Sequence, residues 1–321
     1  MTARESGHRP DAQGGSITDA TWAVAVVNDA GAPLASSTEH GAGLREDAAL
    51  IETLSGVTAV PMSLIARDAA ELATRLHGLP RQVGAIFLTR TNRARTRAAQ
   101  HLLTELDNRP LITDDDAMAI TLTAAVLNYL IRRRRCLSGC RVLIAGAAAL
   151  PIISPMLLTA GVVELTLWNL GDADQAPLSW VARDADVVID LVGPAGGMDQ
   201  VALDRPSGSV VGLDQRRAHL LALPGLFRAL AAAPALAPAA APAAAPAAAP
   251  AAPVDIRLLC ASARGLVSAT PPHRRLPVLS SPHTTDAVTG AALHVLHRAA
   301  PPATSRAAWP RPNERDHPGR R

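Results

Sequence analysis

The chain has 321 residues and a formal net charge of +3, long enough for one large domain or two smaller ones. All 31 strongly basic side chains are arginine, so no Schiff-base lysine, P-loop lysine or lipoyl- or biotin-carrying lysine exists here. Acidic and basic residues are mixed along most of the sequence, which argues against nucleic acid as a partner.

Residues 1–17 are polar and lack an apolar h-region. With three cysteines and no CxxC pair, this predicts a reduced, cytoplasmic protein with no membrane association. Trp22 to Val27 (WAVAVV) reads as a strand ended by the turn signal Asn28-Asp29-Ala30-Gly31. A short helix is expected over Asp47 to Leu54. Val57 to Leu64 (VTAVPMSL) follows as a strand, and Pro61 argues for an edge or a bend. Asp68 to His77 has Ala69, Leu72, Ala73 and Leu76 on one helical face. Gly84 to Leu88 is another apolar strand, and Arg93 to Leu106 a helix. Arg109 to Ile112 leads into an acidic turn, Asp114-Asp115-Asp116, and a helix over Ala117 to Leu130.

Arg141 to Ala145 (RVLIA) suits a buried parallel strand, and Gly146 ends it. Val142 to Val163 is uncharged, but its glycines and prolines fit strand–turn–helix better than a membrane span. A helix near Ile153 to Ala160 precedes strands at Glu164 to Trp168, Asp186 to Leu191 and Ser209 to Leu213. Ala229 to Pro253 repeats AAAP, where recurrent proline breaks any helix and predicts an extended linker or insertion. Helices are expected over Val254 to Leu266 and Asp286 to Arg298, and a disordered Pro/Arg-rich tail after them.

This alternation predicts an α/β fold: a doubly wound, mainly parallel Rossmann-type sheet with a smaller N-terminal α/β lobe. The divisions are a disordered 1–17, an N-terminal lobe 18–110 and a Rossmann-like NAD(P)-binding-type domain 111–230. An Ala/Pro linker 231–253, C-terminal helices 254–300 packing on the Rossmann domain and a disordered tail 301–321 complete the chain.

Gly146 opens what would be a phosphate loop, but Ala147 and Ala148 follow where a second glycine would let backbone approach a pyrophosphate. Pro151 has no N–H for an anion. The chemistry of the loop therefore disfavours NAD or NADP although its fold is legible.

Several segments, in order and spacing, resemble the malic enzymes. WAVAVVND is similar to that family's "TVAVVTDGS", and RVLIAGAAALP to "KIVISGAGAAG". DADVVIDLVGPAG resembles "GADVFIGVSGPG", and HLLALPGLFRAL resembles "NNVLAFPGIFRGAL". The likeness runs from about Trp22 to Leu230 and resumes near Leu276 to Leu296. It implies metal-assisted oxidation of malate by NAD(P) followed by decarboxylation, in a protein that forms homo-oligomers; a silent member would instead allow a hetero-assembly with an active homologue. It also implies positions. Glu52 stands at the family's base lysine. Thr89 and Arg90 stand at two metal carboxylates, and Asp115 at the third. Asn169 takes the place of the ribose-binding acid, and Ala218 and His219 the place of paired asparagines. Gly193 and Pro194 form the cofactor-edge turn. The tyrosine acid has no counterpart, Tyr129 being read as a packing residue. A cation at Arg90 opposes a divalent metal.

Plainer readings stand beside these. The three aspartates serve as a helix N-cap, and Arg132 to Arg135 as a solvated helix end. Cys136 and Cys140 read as thiols near that end, and His283, His294 and His297 as surface or packing histidines. The expected function is a malic-enzyme-like protein that is catalytically silent and acts as a binding or regulatory homologue. The alternative is an active or altered NAD(P)-dependent oxidoreductase of that type. A third reading is an interaction protein that docks through the Ala/Pro insertion or the tail.

Overall fold

A computed structural model of the chain describes residues 22–29, 37–106, 109–193, 198–212, 218–233 and 254–299. The predicted termini (1–17 and 301–321) and most of the Ala/Pro segment lie outside them. So do Ala30, Gly31 and Pro194.

The described chain builds two four-stranded parallel sheets. The first contains β1 (Ala23–Asp29), β2 (Thr58–Leu64), β3 (Val83–Leu88) and β4 (Leu111–Thr113), in the order β2-β1-β3-β4. Its helices are α1 (Ser37–Ser55), α2 (Ala69–His77) and α3 (Arg93–Leu106). Helix α4 (Asp114–Arg132) joins it to the second sheet. There β5 (Arg141–Ala145), β6 (Glu164–Trp168), β7 (Val187–Asp190) and β8 (Val210–Val211) lie in the order β6-β5-β7-β8, all parallel. Helices α5 (Ile153–Ala160), α6 (Leu178–Val181), α7 (Met198–Leu203) and α8 (Leu223–Ala232) accompany that sheet. Helices α9 (Ile256–Ala269) and α10 (Pro282–Ala299) close the described chain. This is the mainly parallel, two-lobed α/β fold that the alternation implies.

The inner strands β1, β3, β5 and β7 are buried on both faces, as parallel strands between helices must be, whereas the edge strands β2 and β6 are partly exposed. Period-2 alternation still decides which core each side chain joins. Val24 and Val26 of β1 and Val142 and Ile144 of β5 enter one central core with α4, α8, α9 and α10. Ala25 and Val27 face Leu72, Leu76 and Leu103 of α2 and α3 instead. Leu143 and Ala145 face Leu178 and Met198 of α6 and α7. Helix α4 is therefore wrapped by both lobes, and most of its residues are buried. Gly265 of α9 is needed for the close approach of α10, because a Cβ there would lie 2.6 Å from the Val288 Cα.

Pro61 sits on β2, an edge strand, as its missing N–H demands. Three expectations need correction. Asn28 and Asp29 do not form a turn: both belong to β1 and are buried. Asp29 there pairs with Arg95, so its charge is compensated inside the lobe. The boundary at 110 falls too early, since β4 is the fourth strand of the first sheet. A three-residue strand carries too little periodicity to read. The helix expected over 47–54 extends over 37–55, its first turns obscured by Gly41 and Gly43.

Candidate functional site

Parallel α/β sheets present their loops and helix N-termini beyond the carboxyl ends of the strands. In the first sheet that edge carries Thr89, Arg90 and Thr91 after β3 and Asp114 after β4. In the second it carries Gly146 after β5, Asn169 after β6 and the Asp190 turn after β7.

Arg90 has a left-handed backbone, φ 53°, uncommon for a residue with a Cβ. Asp114 helps to hold it there. Its Oδ2 accepts from the Arg90 backbone N–H at 2.7 Å and its Oδ1 from the Thr89 hydroxyl at 2.8 Å. The Arg90 guanidinium then turns toward α1 and forms an ion pair with Asp47, whose side chain is wholly buried. It lies against Gly43, where a Cβ would come within 2.8–2.9 Å of three guanidinium atoms. Gly43 and Asp47, four residues apart, share one face of α1. Arg90 Nε is buried without a hydrogen-bond partner, so the fit stops short of full satisfaction.

The three aspartates divide their labour. Asp116 completes a capping box with Thr113: the Thr113 Oγ1 accepts from the Asp116 N–H at 3.2 Å, and the carboxylate accepts from the Thr113 N–H at 2.9 Å. The cap is thus Thr113, one residue before the acidic run. Burial, the largest influence, pushes both the Asp114 and Asp116 carboxyls above the ordinary carboxylate value. Asp115 is gripped by two arginines of α3, Arg93 Nε at 3.1 Å and Arg97 Nη2 at 3.1 Å. Both arginines also donate to the Ala149 carbonyl, at 3.3 and 3.0 Å. They tie the first lobe to the loop after β5. Thr89, Arg90, Arg93, Asp114, Asp115 and His219 line a cavity of about 270 Å³ between these elements.

The loop after β5 begins at Gly146, φ 85°, where a Cβ would meet the Leu191 backbone at 3.1 Å. Residues 147–149 then make a single 3₁₀ turn, and α5 starts only at Ile153, with no side-chain cap. The Ala148 N–H is spent on Asn169 Oδ1 at 2.9 Å. After β7, the Asp190 Oδ1 accepts from the Val192 and Gly193 N–H groups at 3.0 and 2.8 Å, fixing the turn at Gly193. The N–H groups of Ala148, Val192 and Gly193 at this edge are thus engaged by side chains of the chain itself.

The structure brings Ala148 and Asn169 into direct contact, and places Asp115 in the cavity wall beside Arg93. Glu52 lies on the exposed face of α1, whereas Asp47 of the same helix reaches the cavity's arginine. Asp47, Arg93 and Arg97 were not singled out from the sequence. The only signal for them was an arginine standing where a carboxylate was expected, which demands a buried counter-charge somewhere in the fold. Among the described residues, no group of three or more His, Cys, Asp or Glu side chains is gathered so as to hold a metal ion. No helix among them is long and apolar enough to cross a membrane. Cys136, Cys140 and Cys260 are free thiols. Asp286 pairs with Arg228 at 2.7 Å.

The architecture defines a two-lobed α/β protein whose lobes meet at a charged crevice, the second lobe having a Rossmann-type parallel sheet. No family model matches the sequence. No curated protein matches it either. Solved structures do match the fold. The malic enzyme from Pyrococcus horikoshii aligns with a TM-score of 0.69 and 17% identity over 86% of this chain and 76% of that one. An NAD-dependent malic enzyme from Thermotoga maritima gives 0.67 and 17% over 85% and 84%. The Entamoeba histolytica malic enzyme gives 0.70 and 16% over 88% and 70%. The chain has the malic-enzyme fold.

Proposed function

We propose that this protein is a divergent malic-enzyme homologue that has lost the family's reaction and acts as a binding or regulatory subunit, alone as a homo-oligomer or beside an active homologue. The observation that carries this reading is Arg90. An arginine stands at the position implied for a metal carboxylate, in the wall of the crevice, with its guanidinium paired to buried Asp47. A divalent cation needs several oxygen ligands. Here Asp114 is committed to the Thr89–Arg90 loop and Asp115 to Arg93 and Arg97. The residues present do not fit a divalent metal.

They fit a dinucleotide no better. A pyrophosphate needs unspent N–H groups and close backbone approach. The loop offers a methyl group and an engaged N–H at Ala148 and no N–H at Pro151. The absence of lysine removes the family's base, a loss that alone costs about 10²–10⁴ in rate. Glu52 is exposed and is not held against the cavity. The purified full chain, given malate, manganese and NAD or NADP, should therefore reduce neither nucleotide. Turnover that disappears in Asp115→Asn would overturn the proposal.

One observation favours a second reading. The 270 Å³ cavity retains a half-buried carboxyl, that of Asp114, whose pKa desolvation raises, beside His219, a pair able to handle a proton. An altered oxidoreductase for another 2-hydroxy acid would use it, and would need to bind a nicotinamide. Flat calorimetric titrations with both NAD and NADP would remove that reading.

A further inference from the structure

A second cavity, of about 610 Å³, opens at the opposite edge of the second sheet, away from the crevice. It lies between the C-terminal end of α4, the turn that enters β7, and the segment from α7 into β8. Its volume falls in the range of small-molecule sites. Its charged lining is Arg133, Arg135, Arg183 and Arg205 against Asp186 and Asp204, a surplus of two positive charges.

The surplus is not dispersed into ion pairs. Among the described residues, only Arg135 has a carboxylate in ion-pair contact, Asp186 at 3.0 Å. Arg133 lies over the Tyr129 ring, its guanidinium carbon 5.4 Å from the centroid, a contact that fixes the cation without neutralising it. Arg183 is exposed and has no counter-ion among the described residues. Arg205 is the most telling. Its fork donates to the carbonyls of Ala182 and Ala185 and, from Nε at 3.2 Å, to the Ser209 hydroxyl. All three acceptors are neutral, and the carboxylate that does act on it, Asp186, does so at longer range while paired with Arg135. The guanidinium is held rigid and partly desolvated, and burial pushes its pKa below the ordinary arginine value. Partial burial without a direct ion pair leaves part of its charge uncompensated. Its fork is spent on those acceptors, so Arg205 adds positive charge to the wall, while the exposed guanidinium groups of Arg133 and Arg183 on the same cavity can still donate to phosphate or carboxylate oxygens.

We propose that this arginine-lined cavity binds a small polyanion, a phosphate-bearing or polycarboxylate metabolite, at a site separate from the malic-enzyme crevice. The site is independent of whether the crevice retains chemistry. It gives the scaffold a ligand to sense on the face that the crevice does not use.

Calorimetric titration of the full chain tests this, with inorganic pyrophosphate and citrate as separate probes at low ionic strength. At least one should bind saturably at one site per chain, and rising salt should weaken it. Pyrophosphate alone identifies phosphate chemistry, and citrate alone identifies carboxylate chemistry. The double variant Arg133→Ser/Arg183→Ser changes two exposed side chains and should weaken binding at least tenfold with an unchanged circular dichroism spectrum. Arg264→Ser, an exposed arginine of α9, should leave binding unchanged. No binding of either probe overturns the proposal. So does binding that the double variant leaves intact, or that Arg264→Ser weakens equally.

Discussion

The Arg90–Asp47 pair can be tested as an energetic unit. Asp47 is wholly buried, and the Arg90 side chain is 31% exposed. Removing one partner of a fully buried pair costs about 3–5 kcal/mol, because the other charge is left uncompensated. Arg90 can partly rehydrate, which lowers the expectation for Asp47→Ala to about 2–4 kcal/mol. Arg90→Ala should cost a similar amount, since it removes the guanidinium paired with a wholly buried carboxylate. The double variant removes both charges and should lose less than the sum of the single losses by about 1.5 kcal/mol or more. Urea denaturation of the four proteins, followed by far-ultraviolet circular dichroism, measures each value. Additivity within about 0.5 kcal/mol would refute the claim that the two groups are coupled.

Other outcomes follow from the same geometry. Gly265→Ala drives a methyl group into the α10 backbone and should cost about 1–3 kcal/mol in urea denaturation; a neutral result would mean that α9 and α10 are not in close contact. For Asp114 the raised carboxyl pKa means that the native state binds more protons than the unfolded state just above the ordinary value of 3.8. The group therefore subtracts stability as pH rises through its native pKa, and Asp114→Asn should gain stability relative to wild type over that rise. A constant difference from pH 3.5 to 7 would contradict this. Cys136 is exposed and its thiol is held below the ordinary value by Ser138, whereas burial pushes Cys260 up to about 11. A disulfide reagent should therefore titrate one fast thiol in the native protein, lost in Cys136→Ser, and the other thiols only on unfolding.

Much of the fold was legible because buried parallel strands are written as short apolar runs. The runs at Ala23, Val83, Arg141 and Val187 each became a strand of a parallel sheet. The helix over Asp68 to His77 was equally plain, its apolar face in register and Asp68 capping it through the Glu71 N–H. The starts of elements were harder. Helix α10 begins at Pro282, not at Asp286, since proline is accommodated in a first turn that shows no apolar periodicity. At the site, the sequence shows that Arg90 stands where a carboxylate was expected, but not what answers it. Asp47 lies 43 residues away, at the start of what reads only as a short helix, and nothing in the sequence shows that Gly43 makes room for the guanidinium. The division of labour among Asp114, Asp115 and Asp116 was hidden for the same reason. One helical turn points adjacent carboxylates in three directions, and only the tertiary partners distinguish them.

Manganese binding by electron paramagnetic resonance tests the central claim most directly. Wild-type protein should leave the signal of free Mn²⁺ undiminished, while Arg90→Asp, which removes the internal cation and adds a carboxylate, should begin to deplete it. Stoichiometric depletion by the wild type, abolished by Asp115→Asn, would show a working metal site and contradict the account.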